Sequence, residues 1–254
     1  MLAEERRDTL LDLLKREDVG QLSELADTLG VSMSTVRRDL DKLEAVGSVR
    51  RIRGGAVYVE LREADPPWDS RWREHAGEKR IIGAAAAGLV REGEMVFLDA
   101  GSSCVYLAEQ LRGTKGITVV TNSLPVMWAL SEDTGVNLVA IGGEFNFPEK
   151  YFYSLRFEQE LAQMHLDKYF MGILSIDAEG GLSESHMAEI AMKRALMQAS
   201  RQRIVLADGA KVGQASNFRL CSISDIDVLV TDAGADVDKL EHLEQAGVRV
   251  IVAG

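Results

Sequence analysis

Two cysteines, four prolines, four histidines and 6% aromatic residues in a chain of 254 exclude several kinds of protein at once. Cys104 and Cys221 are too few for a disulfide framework or a four-thiolate zinc site, and a reducing cytoplasm is the compartment that fits. His75, His165, His186 and His242 show no H-x-x-x-H or H-x-E spacing, so neither a metal nor a cofactor is expected. The longest apolar stretch, Ile81 to Val90, is about half the ~20 residues of a membrane-spanning helix. Met1 leads into charged residues rather than a signal-peptide core, so no membrane partner is expected either. Positive charge is also short: 29 Lys and Arg stand against 40 Asp and Glu, a net −11. That balance excludes bulk attraction to nucleic acid or anionic lipid and leaves room only for a local basic face.

What is present, 46% hydrophobic and 27% charged residues, is an ordinary globular composition, long enough for one large or two unequal domains. The run D-P-P-W-D-S-R-W-R from Asp65 to Arg73 marks the division, because Pro66 and Pro67 exclude a continuous helix and favour an extended connector. The expected organisation is residues 1–57, a connector over 58–76, and a larger domain over 77–254. Residues 1–60 carry 10 Lys and Arg against 12 Asp and Glu, whereas 61–254 carry 19 against 28, so the acidity lies mostly in the larger part. Trp68 and Trp72, at helical spacing, suit one face of a short helix, either as core anchors or as a dimer contact.

Within the first 57 residues, Leu2, Leu10, Leu11, Leu13 and Leu14 mark an amphipathic helix ending near Glu17. Val19-Gly20 interrupts the pattern, and Leu22, Leu25, Ala26 and Leu29 mark a second helix. Gly30 ends it, Val31 plugs the core, and Ser32 offers an N-cap oxygen to a third helix from Met33 to about Ala45 with Val36, Leu40 and Leu43 inward. Its outward residues Ser34, Thr35, Arg37, Arg38 and Lys42 combine short hydroxyls near the N-terminus with cations further along, as suits a helix lying in a major groove. Gly47 ends this helix. Val49 to Arg53 then alternates apolar and basic residues before Gly54-Gly55, which predicts a hairpin wing. Between Arg37 and Arg53, six cations (Arg37, Arg38, Lys42, Arg50, Arg51 and Arg53) meet Asp39, Asp41 and Glu44, a local +3. The expectation is a winged helix-turn-helix that binds double-stranded DNA through Ser32, Ser34, Thr35, Arg37, Arg38, Lys42, Arg51 and Arg53.

The run S-E-L-A-D-T-L-G-V-S-M-S-T-V-R-R-D-L-D-K-L, with the later R-R-I-R-G-G-A, resembles the DNA-binding domain of the DeoR-type bacterial transcriptional regulators. Arg53 stands where members of that family often carry histidine.

Beyond the connector, strand-like segments recur at Met95–Asp99, Ile117–Val120, Asn137–Ile141, Lys168–Leu174, Arg203–Ala207, Val228–Thr231 and Val248–Val252. Helix-length stretches separate most of them, including Tyr106–Arg112, Leu124–Glu132, Leu155–His165, Met187–Ser200 and Val237–Gln245. The chain is thus expected to be α/β: a small N-terminal winged helix-turn-helix joined to a larger α/β domain with a largely parallel sheet. Ligands of such sheets gather at the carboxyl ends of the strands. There, Asp99-Ala100-Gly101-Ser102-Ser103 turns into a helix whose N–H groups suit an anion, with Asp99 either a turn or cap residue or a partner for a sugar hydroxyl or proton. Thr121-Asn122-Ser123 repeats the arrangement, with Ser123 a cap. Gly142 and Gly143 make either a close approach to a ligand or a plain turn, and Lys211 follows a strand as a point charge suited to phosphate or as a solvated loop residue.

D-A-G-S-S, V-T-N-S, I-G-G and L-A-D-G-A-K occur in the order found in the DeoR-type effector domain, so the resemblance spans nearly the whole chain. It implies a fold related to ribose-5-phosphate isomerase and the coenzyme A transferases, and a pocket for a phosphorylated sugar as effector. By that resemblance the effector residues are Asp99, Gly101, Ser102, Ser103, Thr121, Asn122, Gly142, Gly143 and Lys211. Glu189 and Lys193 match a family acid and base, while as residues alone they are equally a surface i,i+4 pair. The segment F-N-F-P-E-K-Y-F-Y-S-L-R-F after Glu144 departs from the family in being aromatic and basic. Lys150 and Arg156 there suit an anion and Tyr151 and Tyr153 a stacked ring, or all four serve surface and packing.

The expected function is a sequence-specific regulator, a repressor of sugar or carbohydrate catabolism genes released from its operator by a phosphorylated sugar, with no catalytic residue and acting as a homodimer or homotetramer. The alternative is a sugar-phosphate isomerase or transferase with an appended winged helix, using Asp99 or Glu189 as base and Lys211 as electrostatic stabiliser.

Overall fold

The computed structural model describes residues 3–17, 19–45, 49–52, 54–58, 68–132 and 135–254, which divide into two units, Met1–Arg62 and Glu63–Gly254. Gly47, Arg53, Pro66 and Pro67 lie outside the described residues.

Leucines at helical spacing build the small unit. Its elements are α1 (Ala3–Glu17), β1 (Val19–Gln21), α2 (Leu22–Leu29), α3 (Met33–Ala45), β2 (Val49–Ile52) and β3 (Gly55–Tyr58). Leu10 and Leu14 of α1, Leu25 and Leu29 of α2, and Val36, Leu40 and Leu43 of α3 bury together with Val49 and Ala56. The tight turn between α2 and α3 works as the glycine predicts: Gly30 adopts φ 63°, and its N–H donates to the carbonyl of Asp27. Ser32 Oγ then accepts the N–H of Thr35 at 3.2 Å, an N-cap for α3. Arg6 pairs with Asp39 at 2.6 Å and joins α1 to α3. The wing is a three-stranded antiparallel sheet in the order β1-β3-β2 rather than a bare hairpin. The sequence hides the extra strand because β1 is only three residues long. Gly55 is required by it, since a Cβ there would lie 2.1 Å from the carbonyl oxygen of Gly20.

The large unit begins with α4 (Trp68–Arg73) and α5 (Ala76–Ala87), continues through β4 (Met95–Leu98), α6 (Ser102–Gln110), β5 (Thr118–Thr121), α7 (Leu124–Leu130) and β6 (Asn137–Ala140), and then forms a hairpin of β7 (Glu144–Asn146) and β8 (Tyr151–Tyr153). Next come α8 (Phe157–Leu161), β9 (Leu166–Gly172), β10 (Ser175–Asp177), β11 (Gly181–Glu184), α9 (Met187–Ala199), β12 (Ser200–Leu206), β13 (Phe218–Cys221), β14 (Val228–Asp232), α10 (Val237–Gln245) and β15 (Arg249–Ala253). Seven strands form one parallel sheet in the order β15-β14-β12-β9-β4-β5-β6. Alternate side chains feed opposite faces: Val96, Leu98, Phe170 and Ile204 pack with α5, α6 and α7, while Phe97, Tyr169, Met171 and Val205 pack with α8, α9 and α10. The alanine-rich stretch around Ile81 is α5, close enough to α6 that a Cβ on Gly83 would lie 2.7 Å from the backbone of Tyr106. Among the described residues no helix is long and apolar enough to cross a membrane.

Two features depart from the expected pattern. The connector read over 58–76 ends in structure belonging to the large unit: Trp68 is buried, and Trp72 stacks on both Trp68 (5.5 Å) and Tyr106 (4.6 Å). A second small antiparallel sheet, β10-β11-β13, lies in segments with no clear period. Its three strands are too short to carry an alternation signal.

Leu40 is fully buried at the centre of the small unit's core. Leu40→Ala is expected to destabilise this unit by about 2–5 kcal/mol, read as a lower urea midpoint for the first unfolding transition. An unchanged midpoint would show that the site collapses without leaving a cavity.

Candidate functional site

The small unit presents one face of α3. Ser34, Arg37, Arg38 and Lys42 are exposed, Thr35 is half-buried, and Val36, Asp39, Leu40 and Leu43 are buried on the other side. Ser32 holds the hydroxyls in place, lying 2.8 Å from Ser34 Oγ and 2.9 Å from Thr35 Oγ1. Arg51 reaches back from β2 to Asp41 at 2.5 Å, and its N–H donates to Glu44 at 2.8 Å, so part of its charge is spent fastening the wing to α3. Arg37, Arg38 and Lys42 have no ion pair among the described residues, which leaves an uncompensated cationic ridge beside short hydroxyls.

In the large unit, β5 and β6 follow β4 to one edge of the sheet, while β12, β14 and β15 extend from β9 to the other. This reversal opens a crevice beyond the carboxyl ends of β4 and β9. Two glycines shape it: a Cβ on Gly101 would lie 2.8 Å from Gly172 Cα, and one on Gly172 would lie 2.9 Å from Gly101 Cα. Larger residues would force the turn after β4 away from the end of β9. Helix α6 starts from that turn with no side chain capping its N-terminus, so its first N–H groups and positive dipole end face the crevice.

The resulting cleft is narrow, with room for the centre of a water-sized sphere over about 30 Å³. Its lining includes Asp99, Gly101, Ser102 and Ser103 from the β4–α6 turn, Gly172 and Ile173 after β9, Glu184 from β11, Glu189, Met192 and Lys193 from α9, and Lys211. Arg71 from α4 and Glu149 and Tyr151 from the β7–β8 hairpin complete it. At the floor, the Lys193 ammonium donates to Glu184 and to the carbonyl of Gly172 at 2.6 Å, and lies 3.4 Å from Asp99 Oδ2. Burial disfavours its charge, but Glu184, Asp99 and Glu189 outweigh burial and hold Lys193 above the ordinary lysine range, so it stays protonated and serves as a fixed cation. Lys211 Nζ donates to the carbonyl of Ile173 at 2.8 Å and lies 3.9 Å from Asp208. Burial pushes Glu189 up to about 8; Lys193 opposes the shift, and Glu184, Asp99 and Glu149 add to it. Arg71, Lys193 and Lys211 meet Asp99, Glu149 and Glu184, while Glu189 is mostly neutral at pH 7, so the cleft is close to charge-balanced and the uncapped N-terminus of α6 gives it a side suited to an anion.

Of the nine residues the sequence pointed to here, Asp99, Gly101, Ser102, Ser103 and Lys211 line the cleft, whereas Thr121, Asn122, Gly142 and Gly143 do not. The reason is their place in the sheet. Thr121, at the end of β5, donates its hydroxyl to the carbonyl of Leu98 at 2.7 Å and accepts the N–H of Ser123, bracing the strand that leads to Asp99. Asn122 donates to the carbonyl of Phe152 at 3.0 Å and anchors the hairpin. Gly143, at φ 147°, allows a contact that a Cβ would close to 2.1 Å from the carbonyl oxygen of Tyr153, while Gly142 has open space where a Cβ would stand. Sequence reasoning missed Arg71, Glu149 and Glu184. Arg71 lies just beyond Pro66-Pro67 in a six-residue helix with too few turns to show a period. Glu189 and Lys193 are cleft residues rather than a solvated surface pair, and Tyr151 is buried against the cleft while Tyr153 is exposed.

Two outcomes follow from these charges. Lys193→Met leaves Asp99 and Glu184 buried without their cation and is expected to cost about 3–5 kcal/mol; by contrast, losing the partly exposed Lys150, 3.9 Å from Asp69, costs under about 1 kcal/mol. Urea denaturation separates the two. Glu189 is neutral below its raised value and charged above it, so a phosphate ester, already mostly dianionic at pH 7, should bind roughly five- to tenfold more weakly at pH 9. Calorimetric titrations of the parent and Glu189→Gln test this, and a pH dependence that survives in Glu189→Gln assigns it to another group.

Comparison with known proteins fits both parts of this geometry. Residues 6–62 match the model of the DeoR-like helix-turn-helix domain, and residues 74–233 match that of the DeoR C terminal sensor domain. The chain is 31% identical to the HTH-type transcriptional repressor GlcR of Bacillus subtilis over 99% of its own length and 97% of that protein's. It is 31% identical to a putative aga operon transcriptional repressor of Escherichia coli O157:H7, covering 98% and 94%, and 32% identical to the transcriptional repressor AccR of Agrobacterium fabrum, covering 91% and 90%. Among solved structures, ribose 5-phosphate isomerase A from Neisseria gonorrhoeae aligns over 52% of each chain at 19% identity with a TM-score of 0.37, a partial match that says nothing of activity. The chain belongs to the DeoR family of DNA-binding transcriptional regulators, and its larger unit carries the sensor domain of that family.

Proposed function

We propose that this chain is a cytoplasmic repressor of carbohydrate-metabolism genes that leaves its operator when a phosphorylated sugar occupies the cleft between β4 and β9. The observation that carries the reading is the cleft itself. In a chain of net charge −11, it gathers Arg71, Lys193 and Lys211 around an uncapped helix N-terminus. Asp99, Ser102 and Ser103 stand beside that anion site as partners for sugar hydroxyls, and Gly101 admits the ligand to the backbone. Thr121, Asn122 and Gly143 act behind the cleft, by bracing β4 and the hairpin, and Gly142 leads into that hairpin. Arg37, Arg38 and Lys42 contact phosphates or bases from α3, Ser34 and Thr35 approach base edges, and Ser32 caps the helix. Arg51 orients the wing, and Arg53 adds a phosphate contact. The protein works as a homodimer or homotetramer, because two recognition helices on a twofold axis reach half-sites about 34–36 Å apart and double the contacts. Similarity to the repressors GlcR and AccR supports the sign of regulation.

The test is fluorescence anisotropy on DNA from the gene's own upstream region, at fixed salt, with and without a panel of sugar phosphates. One compound should weaken specific binding by roughly 5- to 150-fold, and Lys211→Ala should abolish that release while leaving DNA affinity intact. Arg38→Ala should weaken all sequences alike and reduce the salt slope by about one if it holds a phosphate, whereas changes at Ser34 or Arg37 relax preference at single positions. Specific binding that no sugar phosphate alters would overturn the effector assignment, and absence of specific binding across a wide operator search would overturn the repressor.

A further inference from the structure

Arg71 stands on α4, the element that the connector enters, and its guanidinium pairs with Glu149 at the cleft. Both side chains are largely withdrawn from water, at 15% and 14% exposure. Glu149 occupies the turn of the β7–β8 hairpin, where the adjacent Lys150 lies 3.9 Å from Asp69, also on α4. Two pairs of opposite charge therefore join the hairpin turn to α4. The same helix is fastened to the rest of the cleft through its backbone and its indole. Trp68 Nε1–H donates to the carbonyl of Ala100 at 3.1 Å, the Tyr106 hydroxyl donates to the carbonyl of Trp72 at 3.1 Å, and Lys79 donates to the carbonyls of Arg71 and Glu74.

We infer that the Arg71–Glu149 pair is a latch: an anionic group entering the cleft takes Arg71 from Glu149, and α4 reads the exchange and passes it to the connector it continues. The inference rests on the cleft being the effector site. A guanidinium presents a planar fork that matches a phosphate with two parallel hydrogen bonds, and a dianion outcompetes a single carboxylate for it. Glu149, once released, is left in the same cleft as Glu184 without its counter-charge, so the hairpin turn moves off as the ligand settles. The ligand thereby favours the open latch over the closed one, the differential affinity that a conformational response requires. Because α4 is held by the loop after β4, by α5 and by α6, a change at Arg71 acts on a helix tied at both ends rather than on a single loose side chain.

Trp68 and Trp72 lie on α4, and Trp128 is the third tryptophan of the chain. In the full chain carrying Trp128→Phe, emission therefore reports α4 directly. Inorganic phosphate is titrated at constant ionic strength, with occupancy measured separately by equilibrium dialysis. Binding is expected to change the emission. Glu149→Gln should tighten phosphate binding by about three- to tenfold, and Arg71→Lys should weaken it by about tenfold and remove the emission change. A purely structural pair would not tighten binding when Glu149 is neutralised, so unchanged or weaker binding in Glu149→Gln overturns the latch. So does an Arg71→Lys protein that binds phosphate as the parent does. In either case, phosphate binding that is lost in Lys211→Ala leaves the anion cleft standing. Failure of the parent and every variant to bind phosphate or any sugar phosphate overturns both.

Discussion

One ammonium held between two carboxylates organises the sensor unit. Lys193 comes from α9, Asp99 from the turn after β4 and Glu184 from the end of β11, and the same amine holds the carbonyl of Gly172 at the end of β9. Three segments within about twenty residues of one another and the distant turn after β4 thus converge on one buried cation at the point where the strand order reverses. In a low-dielectric floor each carboxylate needs that cation, and the cation needs them. The close contact of Gly101 with Gly172 sets the distance over which the arrangement operates. Arg71, paired with Glu149, and Lys211, 3.9 Å from Asp208, are the other two cations that line the cleft.

Charge is distributed with a clear physical logic. The acidity of the large unit discourages indiscriminate retention on a polyanion, while Arg37, Arg38 and Lys42 on the exposed face of α3 have no ion pair among the described residues. Asp39 and Asp41 look from the sequence like dilution of that basic face. In the structure Asp39 is paired with Arg6 and Asp41 with Arg51, so each acid fastens the scaffold and subtracts little from the ridge formed by Arg37, Arg38 and Lys42. The large unit uses the same economy. In its cleft, Glu184 and Glu149 each hold a cation in place, and Glu189 is mostly neutral at pH 7.

The aromatic content, low overall, is gathered where it positions the cleft. Trp68, Trp72 and Tyr106 stack in a row that seats α4 against α6, and the hairpin carrying Tyr151 is clamped by Asn122. The segment that departs most from the family pattern, from Phe145 to Tyr153, is therefore the one that brings Glu149 to Arg71. The hairpin contributes Glu149 and Tyr151 to the lining of the cleft, while Lys193, Asp99 and Glu184 come from other elements.

Local pattern was enough for much of this. Leucine spacing, the Gly30 turn and the Ser32 cap determined the helices of the small unit, because each depends on residues within a turn or two of one another. Apolar segments alternating with helix-length stretches determined the parallel α/β class, and position after a strand singled out Asp99, Gly101, Ser102, Ser103 and Lys211, all of which line the cleft. Tertiary structure decided which strand ends share a crevice. Placing β9 beside β4 brings Lys193 and Glu184 to Asp99, and it leaves Thr121, Asn122, Gly142 and Gly143 outside the cleft, with Thr121 and Asn122 hydrogen-bonded as braces, although they too stand at strand ends. It also moved Arg71 from the end of an apparent connector into the wall of the cleft. Neighbours in a parallel sheet are set by crossovers of dozens of residues, whose outcome depends on how whole faces bury, and no short window of sequence contains that information.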